Sequence, residues 1–319
     1  MRVAFFGTPD FAVPSLRALV GEGFDVVAVV TQPDAPQGRS RSKLIPPPVK
    51  VAAEAEDLLV WQPEKPTDPV FLTQLRKVKP DTGVVVAYGH ILKPELLALP
   101  PRGMINVHPS LLPGLRGAAP IEWAIIRGHE TTGVTIMQLD AGMDSGPILH
   151  QIPHRIDADV TGGELSAHLA EVGAQALIET LAMMEQSDPP PQPVPQKEAR
   201  ATLAPKLTRE TARIDWTKDA AAIGRLIRGL DPRPGAWTEL QGVEIKLFTP
   251  KVMEPPFPGT GAPGEVLSAD GSLVVATGPL KDLGGGSVEI FEVQPAGKER
   301  MPTGDWLRGA RLKAGARFT

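Results

Sequence analysis

The chain has 319 residues, of which 42% are hydrophobic and 22% charged, and its formal net charge is −4 at pH 7. This composition is typical of a soluble globular protein, and the length predicts two domains. The absence of cysteine excludes disulfides, thiolate metal ligands and a cysteine nucleophile.

Targeting and metal-binding patterns are also missing from the sequence. No apolar run approaches the roughly 20 residues that cross a membrane. The N-terminal apolar run meets the Gly-Thr-Pro turn at residues 7–9 too early for a signal peptide. The six histidines show no metal-ligand spacing. A cytoplasmic protein without a metal or a membrane partner is therefore expected.

Short apolar runs alternate with helix-like segments in the first 107 residues. The alternation is typical of βαβ units and predicts an α/β fold with a mostly parallel sheet. The predicted strands are Val3–Phe6, Asp25–Val30, Leu58–Val60, Gly83–Ala87 and Met104–Val107, and the predicted helices are Pro14–Val20 and Pro69–Val78. Gly7 follows the first strand, but the GxGxxG fingerprint is absent, so nicotinamide cofactor use is not supported.

A long segment, Thr31–Lys50, interrupts this alternation and is expected to be a loop without regular structure. Arg39, Arg41 and Lys43 lie in it, with Asp34 as the one acid. Loops of this length in a compact domain are usually functional or disordered. The segment is therefore either a solvated surface loop or a basic arm that contacts phosphates of a large substrate.

A helix and a proline-rich segment follow the central part of the chain. Apolar residues at helical spacing predict a helix at Thr161–Gln186, with Thr161 and Glu164 forming a capping box at its start. Five prolines between Asp188 and Gln196 predict a stiff, extended linker. The expected organisation is a catalytic domain at 1–187, a linker at 188–205 and a second domain at 206–319.

The second domain has a different pattern. An amphipathic helix is predicted at Asp219–Gly229. The short β-like runs that follow are separated by Gly and Pro and predict a small β-barrel, and a final helix is predicted at Trp306–Lys313. The runs are Ala236–Leu240, Val243–Thr249, Gly264–Ser268, Ser272–Ala276 and Val288–Val293. Residues 206–319 carry 16 Lys and Arg against 14 Asp and Glu, whereas the whole chain carries 33 against 37. This mild excess is compatible with a polyanionic partner.

The polar side chains that are candidates for catalysis lie between Met104 and Gln151. Asn106 and His108 are two residues apart at the end of a predicted strand and so face the same side of the sheet. A neutral histidine transfers protons near pH 7, an asparagine amide stabilises an oxyanion, and the carboxylate of Asp144 can orient the imidazole. Ser110 and Ser145 lack a nucleophile elbow. The pattern favours a reaction between two bound substrates, although each residue also has a purely structural interpretation.

These residues and several flanking motifs resemble the folate-dependent formyltransferases, and most closely the branch that acts on methionyl-tRNA. The resemblance runs nearly from end to end. Its motifs are Phe5–Ala12, Asn106-x-His108 with Pro109–Pro113, Arg116–Ile121, Asp144-Ser145-Gly146 and Ile227–Trp237.

The resemblance implies a Rossmann-like first domain and a smaller, OB-like β-barrel second domain. It implies transfer of the formyl group of 10-formyltetrahydrofolate to the α-amine of methionyl initiator tRNA. Separately, we expect the protein to be a monomer. The roles that the resemblance implies are catalysis for Asn106, His108 and Asp144, folate binding for Ser110, Leu111, Leu112 and Pro113, and tRNA binding for Arg39, Arg41 and Lys43.

The sequence departs from the family pattern in places, and other functions stay open. Gly114-Leu115 replaces a pair that is often basic or aromatic, and Asp231-Pro232-Arg233 replaces the expected Asn-Pro-Trp. Serines separate the charges of the basic loop. The alternatives are a formyltransferase for an amino-sugar nucleotide, which has less need of a basic loop, and a tRNA-binding protein without activity.

Overall fold

The structure is a computed structural model that describes residues 1–37, 43–186, 192–253, 261–279 and 285–319. Nine strands and six α-helices lie within the described residues up to 186. The strands are β1 Arg2–Gly7, β2 Asp25–Val30, β3 Ala35–Gln37, β4 Lys43–Ile45, β5 Val60–Trp61, β6 Thr82–Val86, β7 Met104–His108, β8 Thr131–Gln138 and β9 Ile148–Arg155. The helices are α1 Val13–Gly21, α2 Pro48–Ala55, α3 Pro69–Lys77, α4 Pro94–Leu97, α5 Pro120–Ile126 and α6 Gly162–Gln186.

Seven of these strands form one sheet in the order β5-β2-β1-β6-β7-β8-β9. The five strands from β5 to β7 are parallel, and β8 and β9 extend the sheet in antiparallel pairing. The parallel strands are apolar because both of their faces are covered, and Val3, Phe5 and Val84 are fully buried. The predicted Rossmann-like, mostly parallel sheet is thus confirmed.

The order of the strands determines where a site can form. The chain runs outward from β1 to β2 and β5 and then returns to the other side of β1 to form β6 and β7. Ligands of open α/β sheets bind at the carboxyl ends of the strands near such a reversal. Asn106 and His108 lie at the carboxyl end of β7, which is next to β6.

The long segment after β2 differs from the prediction. We expected Thr31–Lys50 to lack regular structure, but β3 and β4 form an antiparallel hairpin within it, and α2 begins at Pro48. The prediction failed because two three-residue strands show too little alternation to be recognised. Leu58–Val60 was also predicted as a buried strand, whereas β5 is the half-buried pair Val60–Trp61.

The start of α6 has the predicted capping box. The Glu164 backbone N–H donates to Thr161 Oγ1 at 3.2 Å, and the Thr161 backbone N–H donates to Glu164 Oε2 at 2.9 Å. These reciprocal bonds satisfy backbone donors that the helix leaves unpaired. The local signal in the sequence was sufficient to place this helix.

The final part of the chain forms a second, antiparallel sheet with two helices. Its strands and helices are α7 Ala220–Gly229, β10 Ala236–Leu240, β11 Val243–Met253, β12 Val266–Ser268, β13 Leu273–Pro279, β14 Gly285–Pro295, β15 Met301–Pro302 and α8 Thr303–Ala310. The strand order is β10-β11-β14-β13-β12, with β15 beside β14. The predicted helix Trp306–Lys313 begins three residues later than α8 does.

The C-terminal residues connect the two edges of this sheet. Phe318 bridges to Leu240 at the end of β10, and Arg317 bridges to Glu265 beside β12. Both edge strands therefore pair with the same segment, which closes the sheet in the manner of a small barrel and removes free strand edges. Phe318 is buried and stacks on Trp216 with ring centroids 5.8 Å apart.

The chain divides into two compact units. One contains Met1–Pro120, Thr131–Arg155 and Ser166–Ala204, and the other contains Ile121–Glu130, Ile156–Leu165 and Pro205–Thr319. The division into domains at 1–187, 188–205 and 206–319 remains a proposal. In the part of the chain that is described, no helix has the length and apolarity required to traverse a lipid bilayer.

Candidate active site

Asn106 lies within β7, where its backbone is paired on both sides. Its partners are Val85 of β6 and Met137 of β8. The side chain is half-buried and makes no hydrogen bond to another described residue. The sheet thus fixes the backbone of a residue whose side-chain amide has unused donor and acceptor atoms within the described part of the chain.

His108 ends the same strand and is buried, with 4% of its surface exposed. Its Nε2 atom lies 3.1 Å from the carbonyl oxygen of Leu115. Because a carbonyl only accepts hydrogen bonds, Nε2 carries a proton, and Nδ1 is the basic nitrogen of the neutral ring. Leu115 has φ of 61°, a left-handed conformation that is unusual for a leucine. The loop after β7 is therefore held in a strained form that fixes the tautomer of His108.

Asp144 approaches the other nitrogen of this ring. Its Oδ2 atom is 3.8 Å from His108 Nδ1 and accepts a hydrogen bond of 2.8 Å from the backbone N–H of Gly117. Asp144 also has a left-handed φ of 48°. The structure thus brings His108 and Asp144 together although they are 36 positions apart in the sequence. A separation of 3.8 Å permits electrostatic coupling but exceeds the length of a direct hydrogen bond.

The electrostatic environment keeps His108 neutral. Burial lowers the pKa of His108 below its ordinary value of 6.5, while the Asp144 carboxylate and the hydrogen bond to Leu115 act in the opposite direction. Burial is the largest of these effects because the ring loses its hydration. At neutral pH, Nδ1 is consequently available as a proton acceptor.

The predicted folate-lining segment forms a closely bonded loop between β7 and α5. Ser110 is fully buried, and its hydroxyl donates to the carbonyl of Gly114 at 2.6 Å. Leu112 is also buried, whereas Leu111 and Pro113 are half-buried. Ser110 and Leu112 therefore shape the loop, and the more accessible Leu111 and Pro113 are its better candidates for contact with a ligand.

Two side chains from the antiparallel strands support this loop. Thr135 on β8 donates its hydroxyl to the carbonyl of Ser110 at 2.6 Å and accepts from the backbone N–H of Leu112 at 3.1 Å. Gln151 on β9 donates to the carbonyl of Leu112 at 3.0 Å and to Thr135 Oγ1 at 2.8 Å. Sequence reasoning missed both residues, because an isolated threonine or glutamine in a strand carries no local signal.

The loop that carries Asp144 has its own internal support. The Asp140 carboxylate accepts hydrogen bonds from the hydroxyl of Ser145 at 3.0 Å and from the backbone N–H of Gly142 at 2.8 Å. A Cβ atom at Gly146 would lie 1.8 Å from the carbonyl oxygen of Gln138, so only glycine fits there. Asp140 was also missed, although it lies within the same short motif as Asp144.

The predicted tRNA-binding residues cannot be placed. Arg39 and Arg41 lie outside the described residues, as does the side chain of Lys43. Among the described residues no group of three or more His, Cys, Asp and Glu could hold a metal ion.

A cavity of about 580 Å³ lies elsewhere, in the unit that contains the antiparallel sheet. Arg213, Trp216 and Arg317 line it together with the acids Glu210 and Asp215. None of the predicted site residues contributes to it. Its mixed charge indicates no particular ligand, so the residues around His108 remain the candidate active site.

Family models match the chain in both halves. Residues 1–181 match the formyl transferase model, and residues 206–311 match the model for the formyl transferase C-terminal domain. The chain is 43% identical over 309 residues to a methionyl-tRNA formyltransferase of Chloroflexus aurantiacus, covering 97% of each protein. It is 45% identical over 319 residues to one of Pelotomaculum thermopropionicum, covering 99% of this chain and 97% of that protein.

Solved structures share the fold at lower identity. WlaRD, a sugar 3N-formyl transferase solved with dTDP and 5-N-formyl-THF, has a TM-score of 0.67 at 16% identity and covers 94% of this chain and 99% of its own. HypX from Aquifex aeolicus, solved with tetrahydrofolic acid, has a TM-score of 0.63 at 21% identity and covers 96% of this chain but 47% of its own. Because two family models together cover most of the sequence and full-length relatives exceed 40% identity, this chain belongs to the formyl transferase family.

Proposed function

We propose that this protein transfers the formyl group of 10-formyltetrahydrofolate to the α-amino group of methionyl initiator tRNA. The similarity that carries the proposal is the 43–45% identity to methionyl-tRNA formyltransferases over at least 97% of this chain. The sugar formyltransferase WlaRD is 16% identical and supports the fold alone. The arrangement of Asn106, His108 and Asp144 is suited to the same chemistry.

The reaction needs no nucleophile from the protein. The lone pair of the neutral α-amine attacks the formyl carbon, which forms a C–N bond and converts the formyl oxygen to an oxyanion. Collapse of this tetrahedral intermediate breaks the bond from the formyl carbon to N10 of the folate. One proton leaves the amine and one reaches N10, so the products are the N-formyl amine and tetrahydrofolate.

Asn106 is proposed to donate its side-chain amide to the oxyanion. Its backbone is held by the sheet and its side-chain amide is not engaged by another described residue, so the amide is free to donate to the oxyanion. His108 is proposed to accept the proton of the amine through Nδ1, since Nε2 is bonded to Leu115. Asp144 would stabilise the imidazolium that results, because its carboxylate is 3.8 Å from Nδ1.

The remaining assignments concern the substrates. The segment Ser110, Leu111, Leu112 and Pro113 is proposed to line the folate site, which is consistent with its position directly after His108. Arg39, Arg41 and Lys43 are proposed to contact tRNA phosphates. A monomer in the cytoplasm completes the proposal, since charged tRNA is present where translation takes place.

The acceptor can be identified by direct competition. Purified protein would be mixed with 10-formyltetrahydrofolate and equal concentrations of methionyl initiator tRNA and dTDP-3-aminofucose. We expect formylation of the tRNA alone. Formylation of the sugar nucleotide alone would overturn the proposal in favour of the amino-sugar alternative, and formylation of neither would favour a binding protein without activity.

The basic residues of the loop can be tested by the salt dependence of tRNA binding. Each phosphate contact that is lost lowers the slope of log K against log salt by about 0.7 to 0.9. Replacing Arg39, Arg41 and Lys43 together by glutamine should therefore reduce the slope by about two to three. An unchanged slope would remove these residues from the tRNA-binding surface. Arg17→Gln, an exposed change on α1, is the control.

A further inference from the structure

Gln196 lies in the proline-rich segment, yet its side chain is fully engaged with residues of the compact unit that contains Asn106, His108 and Asp144. Its Nε2 atom donates to the main-chain carbonyls of Asp144 at 2.8 Å and Gly146 at 2.7 Å. Its Oε1 atom accepts from Nε of Arg116 at 3.0 Å and from Nη2 at 2.7 Å. Both donor hydrogens and the acceptor of one amide are thus used by two different loops.

Arg116, which donates to the side-chain oxygen of Gln196, is itself held in place by other residues. It is 7% exposed, and a buried guanidinium needs hydrogen-bonding partners to offset the loss of water. Glu198 supplies two further bonds, at 3.0 Å and 2.7 Å. The main chain is bound as well, because the Arg116 N–H donates to the carbonyl of Thr202 at 2.8 Å and its carbonyl accepts from Ala204 at 2.7 Å. Residues 196–204 are therefore paired with the loop after β7.

Hydrogen bonds hold both the main chain and the side chain of Asp144. Its main-chain carbonyl is held by Gln196, and its carboxylate is held by the N–H of Gly117, the residue after Arg116. The left-handed φ of 48° at Asp144 needs such support to persist. Without Gln196, the internal bonds of Asp140 and the bond from the Gly117 N–H would remain, but the main-chain carbonyls of Asp144 and Gly146 would lose their connection to the Arg116 side chain.

We infer that Gln196 is a positioning residue for formyl transfer, which ties the Asp144 loop to the Arg116–Gly117 turn so that the Asp144 carboxylate faces His108. The expected effect on kcat rests on the proposed function, whereas the expected effect on the position of the Asp144 carboxylate does not. The proline-rich segment is then part of the catalytic arrangement, because one of its side chains holds the main chain of the loop that carries Asp144.

Three substitutions separate the contacts of Gln196. Gln196→Ala removes all of them, and Gln196→Met removes the hydrogen bonds while retaining most of the volume. Gln196→Glu keeps the acceptor for Arg116 but places oxygen against the two carbonyls. Gln192→Ala is the matched control, since Gln192 is an exposed glutamine of the same segment without a hydrogen bond to a described residue.

Two readouts report on the position of Asp144. The imidazole titration of His108, followed by NMR, senses the carboxylate directly and needs no substrate. Other charges near the turn at Arg116 are Glu198 and Asp140, which none of the variants changes. Gln196→Glu adds a carboxylate at this turn, so it is compared by kcat and not by the titration of His108. The second readout is the division of effects between kcat and KM in the formylation assay.

Gln196→Ala and Gln196→Met, which change no charge, are expected to titrate His108 at a lower pH than the parent, and all three variants are expected to lower kcat about tenfold or more. KM for both substrates should stay within about twofold, because no substrate contact is removed. Gln192→Ala should match the parent. Parent-like His108 titration and kcat in the Gln196→Ala and Gln196→Met variants would overturn the inference.

Loss of folding in the variants and loss of activity in the parent lead to different conclusions. If every Gln196 variant lost cooperative thermal unfolding, Gln196 would be a residue of the fold and the positioning role would be rejected. If the parent formylated no methionyl-tRNA, the proposed function would fail, yet the titration of His108 would still decide the role of Gln196.

Discussion

His108 Nδ1 lies 3.8 Å from Oδ2 of Asp144, while Nε2 of the same ring lies 3.1 Å from the carbonyl of Leu115. The two contacts assign different tasks to the two nitrogens. The carbonyl fixes the proton on Nε2, and the carboxylate favours a second proton on Nδ1. A buried imidazole that is neutral at rest and stabilised when charged is suited to accept a proton during one reaction cycle.

Asp144→Asn tests this electrostatic coupling. The carboxylate raises the pKa of His108 against the effect of burial, so its removal should lower that pKa further. The six histidines of the chain can be followed by NMR, with the His108 signal assigned by its loss in His108→Gln. A pKa of His108 that stays the same or rises in Asp144→Asn would contradict the coupling.

The lowered pKa of His108 also predicts how stability depends on pH. The unfolded chain binds a proton near pH 6.5, whereas the folded chain binds it only at lower pH. The contribution of His108 to stability is therefore fully present above pH 6.5 and is lost as the pH falls through the pKa of the folded state. Unfolding by urea at several pH values should show a smaller acid destabilisation in His108→Gln than in the parent. Equal acid destabilisation in both proteins would contradict this contribution.

Asn106→Ala should lower kcat by about 10²- to 10³-fold, as expected for the loss of one oxyanion donor. Stability should change by less than about 1 kcal/mol, because the side chain makes no hydrogen bond to a described residue. Single-turnover formylation and thermal unfolding measure the two effects. Parent-like turnover would exclude the proposed role.

Asn106 is the one asparagine of the sequence, which offers an independent observation. Protein labelled with ¹⁵N-asparagine shows a single side-chain amide in its NMR spectrum. Binding of 5-formyltetrahydrofolate, a stable analogue, should shift this signal if the amide faces the formyl group. A signal unaffected at saturating analogue would place Asn106 away from the reacting carbon.

Gly117→Ala should impair both folding and activity. Gly117 has φ of 122°, and an added Cβ would lie 2.6 Å from the carbonyl oxygen of Ala204. The strain amounts to on the order of 1–3 kcal/mol, and the N–H that holds Asp144 would be displaced. Gly21→Ala is the control, because a Cβ there meets nothing within 4 Å and should be neutral or slightly stabilising. Equal thermal stability of the two variants would contradict this account.

Tyr88, the single tyrosine, should remain protonated at high pH. Burial raises its pKa to about 12. Since tyrosine in the unfolded chain ionises near pH 10, the contribution of Tyr88 to stability is present below about pH 10 and is lost as the pH rises above it. Ultraviolet titration of the folded protein should show no tyrosinate near pH 10. Ionisation there without unfolding would show that the hydroxyl is accessible.

The sequence predicted features whose signals are local or are family motifs. The strand ending in Asn106 and His108 is recognisable from its apolar run, and α6 from its capping box. Asp144 was considered with them as a carboxylate of the same stretch, and the family motif supported this grouping, although no local pattern reveals its contact with His108. The hairpin of β3 and β4 was missed because its strands have three residues each.

The supporting contacts could not be predicted for a different reason. Thr135, Gln151 and Gln196 reach the site from β8, β9 and the proline-rich segment, and each acts through one hydrogen-bonding group. Such contacts depend on the packing of distant segments, which composition and periodicity do not encode. Asp231, which stands where the family pattern has Asn, also depends on a distant residue. Its carboxylate pairs with Arg300, 69 positions away, at 2.6 Å.

The most direct test of the central claim is the identity of the formylated atom. Parent protein would be incubated for a single turnover with 10-formyltetrahydrofolate carrying a ¹³C formyl group and with methionyl initiator tRNA, and the amino acid released from the tRNA would be analysed by mass spectrometry. We predict N-formylmethionine that carries the ¹³C label, formed by the parent and strongly reduced in Asn106→Ala. Unmodified methionine from the parent reaction would contradict the claim.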